Sequence, residues 1–121
     1  SVEAAPAAAE PPRTGARLQV RLAALRDWLA TPAADGLGLP AIARHAGLSA
    51  AHLQRHFPSV ADGMSLGRFV RAQRLLRARA ALEQGHASVA QAAQLAGYRS
   101  STHFSAAFRA QFGLPPSRCK R

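Results

Sequence analysis

This sequence predicts an all-α chain of two helix-turn-helix subdomains joined by a long linker helix, on three observations. Apolar residues recur at helical spacing along most of the chain, and no alternating strand pattern appears. Serine, glycine and proline stand where helices should begin and end. One device also occurs twice, about fifty residues apart: Ala43-x-x-Ala46-Gly47-Leu48 then His52-Leu53-x-x-x-Phe57, and Ala93-x-x-Ala96-Gly97-Tyr98 then His103-Phe104-x-x-x-Phe108. An Ala-rich chain can supply an Ala-Gly pair by chance. Chance is a poor source for the same Gly, His and Phe spacing twice, so the pattern is read as a duplication.

Residues 1–16 are rich in Ala and Pro and lack periodicity, which predicts a flexible linker or a tail left by cloning. The first subdomain is expected over residues 17–64. Its opening helix, residues 17–30, carries Leu18, Leu22, Leu25 and Leu29 on one stripe, with Trp28 at its edge, and Thr31-Pro32 stops it. A loop follows to Gly38. Pro40 then suits the first turn of a helix burying Ile42, Ala43 and Ala46 and ending at Gly47. Ser49 caps a recognition helix over residues 50–57 with Leu53 and Phe57 inward, and Pro58 ends or distorts it.

The linker helix is expected over residues 65–83, capped by Ser65 and stopped by Gly85. Leu66, Phe69, Val70, Gln73 and Leu76, with the small Ala72 and Ala80, are its expected packing positions against both subdomains. The second subdomain, residues 84–121, opens with Ser88 and Gln91, the pattern of a capping box. Ala90, Ala93 and Ala96 give its first helix a small-residue face, and Gly97 supplies the left-handed turn. Ser100 caps a second recognition helix with Phe104, Phe108 and Phe112 at i, i+4 and i+8. Pro115-Pro116 leads into a last short helical turn.

Charge points to the partner. The chain carries +10 overall, yet residues 1–16 hold Glu3, Glu10 and Arg13, a net −1. The basic excess therefore lies wholly in the part expected to fold, where Asp27, Asp35, Asp62 and Glu83 are the acidic residues. That favours a polyanion bound by the fold over a basic tail. All the basic residues but Lys120 are Arg, the side chain suited to bidentate contact with phosphate or guanine. With Leu53 and Phe57 inward, Ala51, His52, Gln54, Arg55 and His56 are the candidates for contact with double-stranded DNA from the first recognition helix, Gln54 and Arg55 foremost. Gln can pair with adenine N6 and N7, and Arg with guanine O6 and N7. Ser101, Thr102 and Ser105 are candidates on the second, with short hydroxyls, while Arg99 and Arg109 flank them and suit phosphates. His52 is assigned a structural role, because His103 recurs beside an inward residue.

At these residues the chain resembles the DNA-binding domain of the AraC/XylS family of bacterial transcription regulators. The carrying motifs are Val89-Ala90-x-x-Ala93-x-x-Ala96-Gly97-Tyr98 and Phe104-x-x-x-Phe108-x-x-x-Phe112-Gly113-x-x-Pro116. Upstream, Gly47-Leu48-Ser49-x-x-His52-Leu53-x-Arg55-x-Phe57, Gly63-Met64-Ser65 and Arg74-x-x-x-Ala78 also fit. The resemblance runs from about Arg17 to Arg121. The segment after Phe57 is one residue longer than the family pattern and holds Pro58, and Cys119 stands where the family has Tyr. The resemblance implies promoter DNA as ligand, Gln54 and Arg55 at base-reading positions, and a structural place for Arg74. It also implies RNA polymerase as a protein partner, and the Ala/Pro linker suggests an upstream effector-binding domain, a stand-alone two-unit regulator being the other reading.

Other classes fit less well. No phosphate loop, carboxylate pair or metal-ligand cluster supports an enzyme, and no catalytic residue, metal ligand or cofactor is assigned. His52 and His56 form an i, i+4 pair, a weak metal signal, and Cys119 stands alone as a nucleophile for alkyl transfer. A non-specific basic architectural protein is the nearer alternative. With no apolar run long enough to span a membrane, no signal-peptide pattern and a single Cys, the cytoplasm is the expected location.

Overall fold

Residues 14–119 are described by a computed structural model of the chain. The expected linker over residues 1–13 lies outside the described residues. Residues 14–16, also assigned to that linker, are helical, since α1 spans Thr14–Leu29. Gly15 weakens a helix by only about 1 kcal/mol, too little to delay one anchored by the Leu stripe that follows. Helices α2 (Leu39–Ala46), α3 (Ala50–His56), α4 (Leu66–Glu83), α5 (Val89–Leu95), α6 (Ser101–Phe112) and α7 (Pro116–Cys119) complete the set, and no strand occurs among the described residues. Contacts divide the chain into two compact units, residues 1–66 and 67–121.

In the first unit, Leu22, Leu25 and Leu29 of α1 are buried with Ile42, Ala43 and Ala46 of α2 and Leu53 and Phe57 at the far side. Fully burying a Leu or Phe side chain is worth about 1.5–3 kcal/mol each, so this short list carries most of the unit's stability. Trp28 sits at the rim, its ring stacked on His45 at 3.6 Å and 11°. The α2–α3 turn is built as the residues dictate. Gly47 adopts φ 70°, its amide donates to the Arg44 carbonyl, and the Leu48 amide donates to the Ala43 carbonyl. The Ser49 hydroxyl then accepts from the His52 amide at 3.1 Å and starts α3. Pro58 ends α3 early: the chain tightens into a 3-10 turn over Phe57–Val60.

The second unit repeats this plan. The Ser88 hydroxyl accepts from the Gln91 amide at 3.1 Å, and the Gln91 side chain accepts from the Ser88 amide at 2.8 Å, closing the expected capping box. Gly97 adopts φ 82°, with Gly97 donating to Gln94 and Tyr98 to Ala93, the same pair of bonds as at Gly47. Ser100 accepts from the Thr102 and His103 amides. Phe104 and Phe108 are fully buried in one cluster with Leu75, Ala78 and Leu82 of α4, and Phe112 packs against its edge.

Two packing assignments change. On α4, Leu76 is 44% exposed and Ala80 is exposed, while Leu75, Ala78 and Leu82 are buried. Neighbouring residues on a helix point about 100° apart, so Leu75 and Leu76 cannot share the inward stripe, and the 75-78-82 row takes it. On α5 the inward row is Ala92, Ala93 and Ala96, and Ala90 is exposed, because the entering cap sets the helix phase one step away.

The core rows reveal a longer repeat than the turns alone. Arg21-Leu22-x-x-Leu25-Arg26-x-x-Leu29 on α1 matches Arg74-Leu75-x-x-Ala78-Arg79-x-x-Leu82 on α4. Helix α4 therefore stands to its own turn as α1 stands to the first. Each unit sets its own leading helix before a helix-turn-helix pair, and α7 closes the second.

Candidate nucleic-acid interface

The leading helices place an Arg near both ends of each recognition helix. In the first unit the Arg21 guanidinium lies 3.8 Å from where a Cβ on Gly47 would stand. Five residues on, Arg26 donates to the Val60 carbonyl at 2.9 Å, just past the far end of α3. In the second unit Arg74 lies 3.5 Å from the corresponding point at Gly97. Arg79 there sits 4.8 Å over the Phe112 ring, at the last residue of α6, while its Nε donates to Glu83. Four cationic side chains thus stand at matching positions: Arg21 and Arg74 near the two turns, and Arg26 and Arg79 in contact with the two tails. A guanidinium beside a helix C-terminus also meets the negative end of its dipole.

Between these ends the outward faces are open. On α3, Ala51, Gln54 and Arg55 are exposed. A shallow depression runs along the start of the helix, lined by Ser49, Ala51, His52, Arg55 and His56. On α6, Ser101, Thr102 and Arg109 are exposed, Ser105 is half-buried, and Arg99 stands exposed in the turn before it. Helices α2, α3, α5, α6 and α7 contain no Asp or Glu at all. Any field over the two helix-turn-helix pairs is positive, with no internal carboxylate to quench it.

A helix-turn-helix domain model matches residues 42–121. The probable transcription factor PqrA of Proteus vulgaris is 33% identical over 93 residues, covering 75% of this chain and 75% of that protein. The chain belongs to the AraC/XylS family. The HTH-type transcriptional activator RhaS of Escherichia coli is 34% identical over 96 residues, which is 79% of this chain and 34% of RhaS. The chain thus spans about a third of RhaS. Among solved structures, an AraC-type regulator from Chromobacterium violaceum superposes with TM-score 0.74 at 28% identity, covering 87% of this chain and 93% of that one. The DNA-binding domain of AdpA, solved in complex with a target DNA, gives TM-score 0.67 at 28% identity, over 81% of this chain and 87% of that one. An AraC/XylS domain is a module of transcription regulators, not an enzyme.

Within that family frame, the sequence-predicted residues fall into two sets. Ala51, Gln54 and Arg55 come together on one face of α3, and Arg99, Ser101, Thr102, Ser105 and Arg109 on and before α6. His52 and His103 are exposed, and their backbone roles recur as well, since both amides are capped by the serine three residues earlier. The His52 and His56 rings lie 4.7 Å apart, and no group of three His, Cys, Asp or Glu among the described residues could hold a metal ion. Cys119 is half-buried against the second core. Sequence reasoning missed the pair Arg21 and Arg26. Their spacing on α1 is visible, but only the packed turn shows what they reach. No helix among the described residues is long and apolar enough to cross a membrane.

Proposed function

We propose that this chain reads double-stranded promoter DNA through both recognition helices, which enter successive major grooves, about 34 Å apart on straight DNA. Gln54 and Arg55 read base edges from α3, with Ala51 beside them for an apolar contact. Ser101, Thr102 and Ser105 offer short contacts from α6, while Arg99 and Arg109 meet phosphates and set register and affinity. The observation that carries this reading is the contrast between the two exposed faces. Both lack carboxylates; α3 sets Gln54 and Arg55 beside Ala51 on its exposed face, whereas α6 presents Ser101, Thr102 and Ser105 there, with Arg109 nearer its end.

In the cell the chain would act in the cytoplasm, coupled to an upstream effector-binding domain and to RNA polymerase. The test is selection of preferred sites from a random duplex pool by the wild type, by Arg55→Ala and by a Ser101→Ala/Thr102→Ala variant. Arg55→Ala should relax preference at one base position and cost about 1–3 kcal/mol. If Arg55→Ala leaves the selected motif intact while the α6 variant erases it, α6 is the reader. If no motif emerges from the wild type, the chain is a non-specific architectural binder.

A further inference from the structure

We propose that His52, His56 and His103 belong to the DNA-contact surface as proton-dependent phosphate ligands, so that binding takes up protons. This rests on the DNA reading above. Three observations carry it. His52 and His103 occupy the same register, third residue of each recognition helix, and both side chains are exposed. His52 and His56 converge, with ring centroids 4.7 Å apart, on the depression that Arg55 shares. No carboxylate exists on either recognition helix or its partner in the turn.

The charged groups on the elements that carry or adjoin these rings are mostly cationic. In the first unit they are Arg55 itself, Arg44 and His45 at the end of α2, Arg21 near the turn and Arg26 at the tail, with exposed Asp62 beyond the 3-10 turn. In the second they are Arg99, Arg109 on α6, Arg74 near the turn, Arg118 on α7 and Arg79, the last paired with Glu83. A phosphate oxygen accepts a hydrogen bond from imidazolium and neutralises its charge, so contact with DNA favours the protonated ring and binding takes up protons. One proton taken up per complex makes binding about tenfold tighter for each unit by which the pH is lowered.

The experiment measures dissociation constants by fluorescence anisotropy from pH 5.5 to 8 at constant ionic strength, on a selected site and an unrelated duplex. Proton uptake is counted by calorimetry in two buffers of different ionisation enthalpy. Variants are His52→Gln, His56→Gln, His103→Gln and the triple, with His45→Gln and His86→Gln as controls and each fold checked by circular dichroism. The expected result is tighter binding at lower pH to both duplexes, proton uptake near pH 7, and a triple variant whose slope is lost while the controls keep theirs. Salt-dependent, sequence-selective binding with no proton uptake would overturn the proposal and leave the DNA reading intact. A pH slope that survives in the triple variant would also overturn it. Absence of binding to any duplex would remove both.

Discussion

At the scale of single residues, the two turn glycines and the two capping serines do different work. Gly47 and Gly97 hold φ of 70° and 82°, where an L side chain is strained. At Gly97 a new Cβ would also stand 3.5 Å from Arg74. Gly97→Val should therefore cost on the order of 1–2 kcal/mol or more and displace α6, read as a lowered melting temperature. An unchanged melting curve would mean the turn tolerates side chains and the displacement argument fails. Ser100→Ala removes one acceptor from two amides and should cost about 1 kcal/mol. These positions were legible in the sequence because each follows from backbone chemistry that needs no neighbour. Arg109→Ala should weaken all duplexes alike and flatten the salt slope by about one contact, measured by anisotropy against salt.

At the scale of elements, what fixes a recognition helix is the helix in front of it. Arg26 and Arg79 contact the two tails, and Arg21 and Arg74 stand near the two turns, at matching positions. Arg26→Ala frees the Val60 carbonyl and should cost about 1 kcal/mol of stability, with a larger proportional loss of sequence preference than of overall affinity. Equal loss on specific and unrelated duplexes would show that Arg26 supports the fold without aiming α3. Leu82→Ala, at a fully buried α4 position, should cost about 2–5 kcal/mol in denaturant unfolding, whereas Leu76→Ala on the exposed side should stay within about 0.5 kcal/mol. The element boundaries were largely readable, because Gly47, Ser49, Pro58, Ser88, Gly97 and Ser100 punctuate the chain. The inward rows of α4 and α5 were not. Alanine and leucine crowd every face of both helices, and only the packed partner says which row is used.

At the scale of the whole molecule, the positive charge lies in the folded part, and affinity should fall steeply with salt. A log–log slope of about −0.9 per neutralised phosphate is expected, and a flat dependence would exclude nucleic acid as the ligand. The family and its fold were legible from a duplicated pattern, since the two turns repeat residue for residue what their geometry needs. The duplication of the leading helices was hidden by divergence at the aligned positions, where Leu25 faces Ala78. The turns themselves differ by one residue, Gly47-Leu48-Ser49 against Gly97-Tyr98-Arg99-Ser100, and yet both close with the same bonds on either side. Each helix end is satisfied from within its own side of the joint, so the number of residues between is free to drift. Evolution can lengthen such a joint and re-aim a reading helix without having to rebuild a core, and one inserted residue between Leu48 and Ser49 should leave the melting temperature nearly untouched while the preferred site changes.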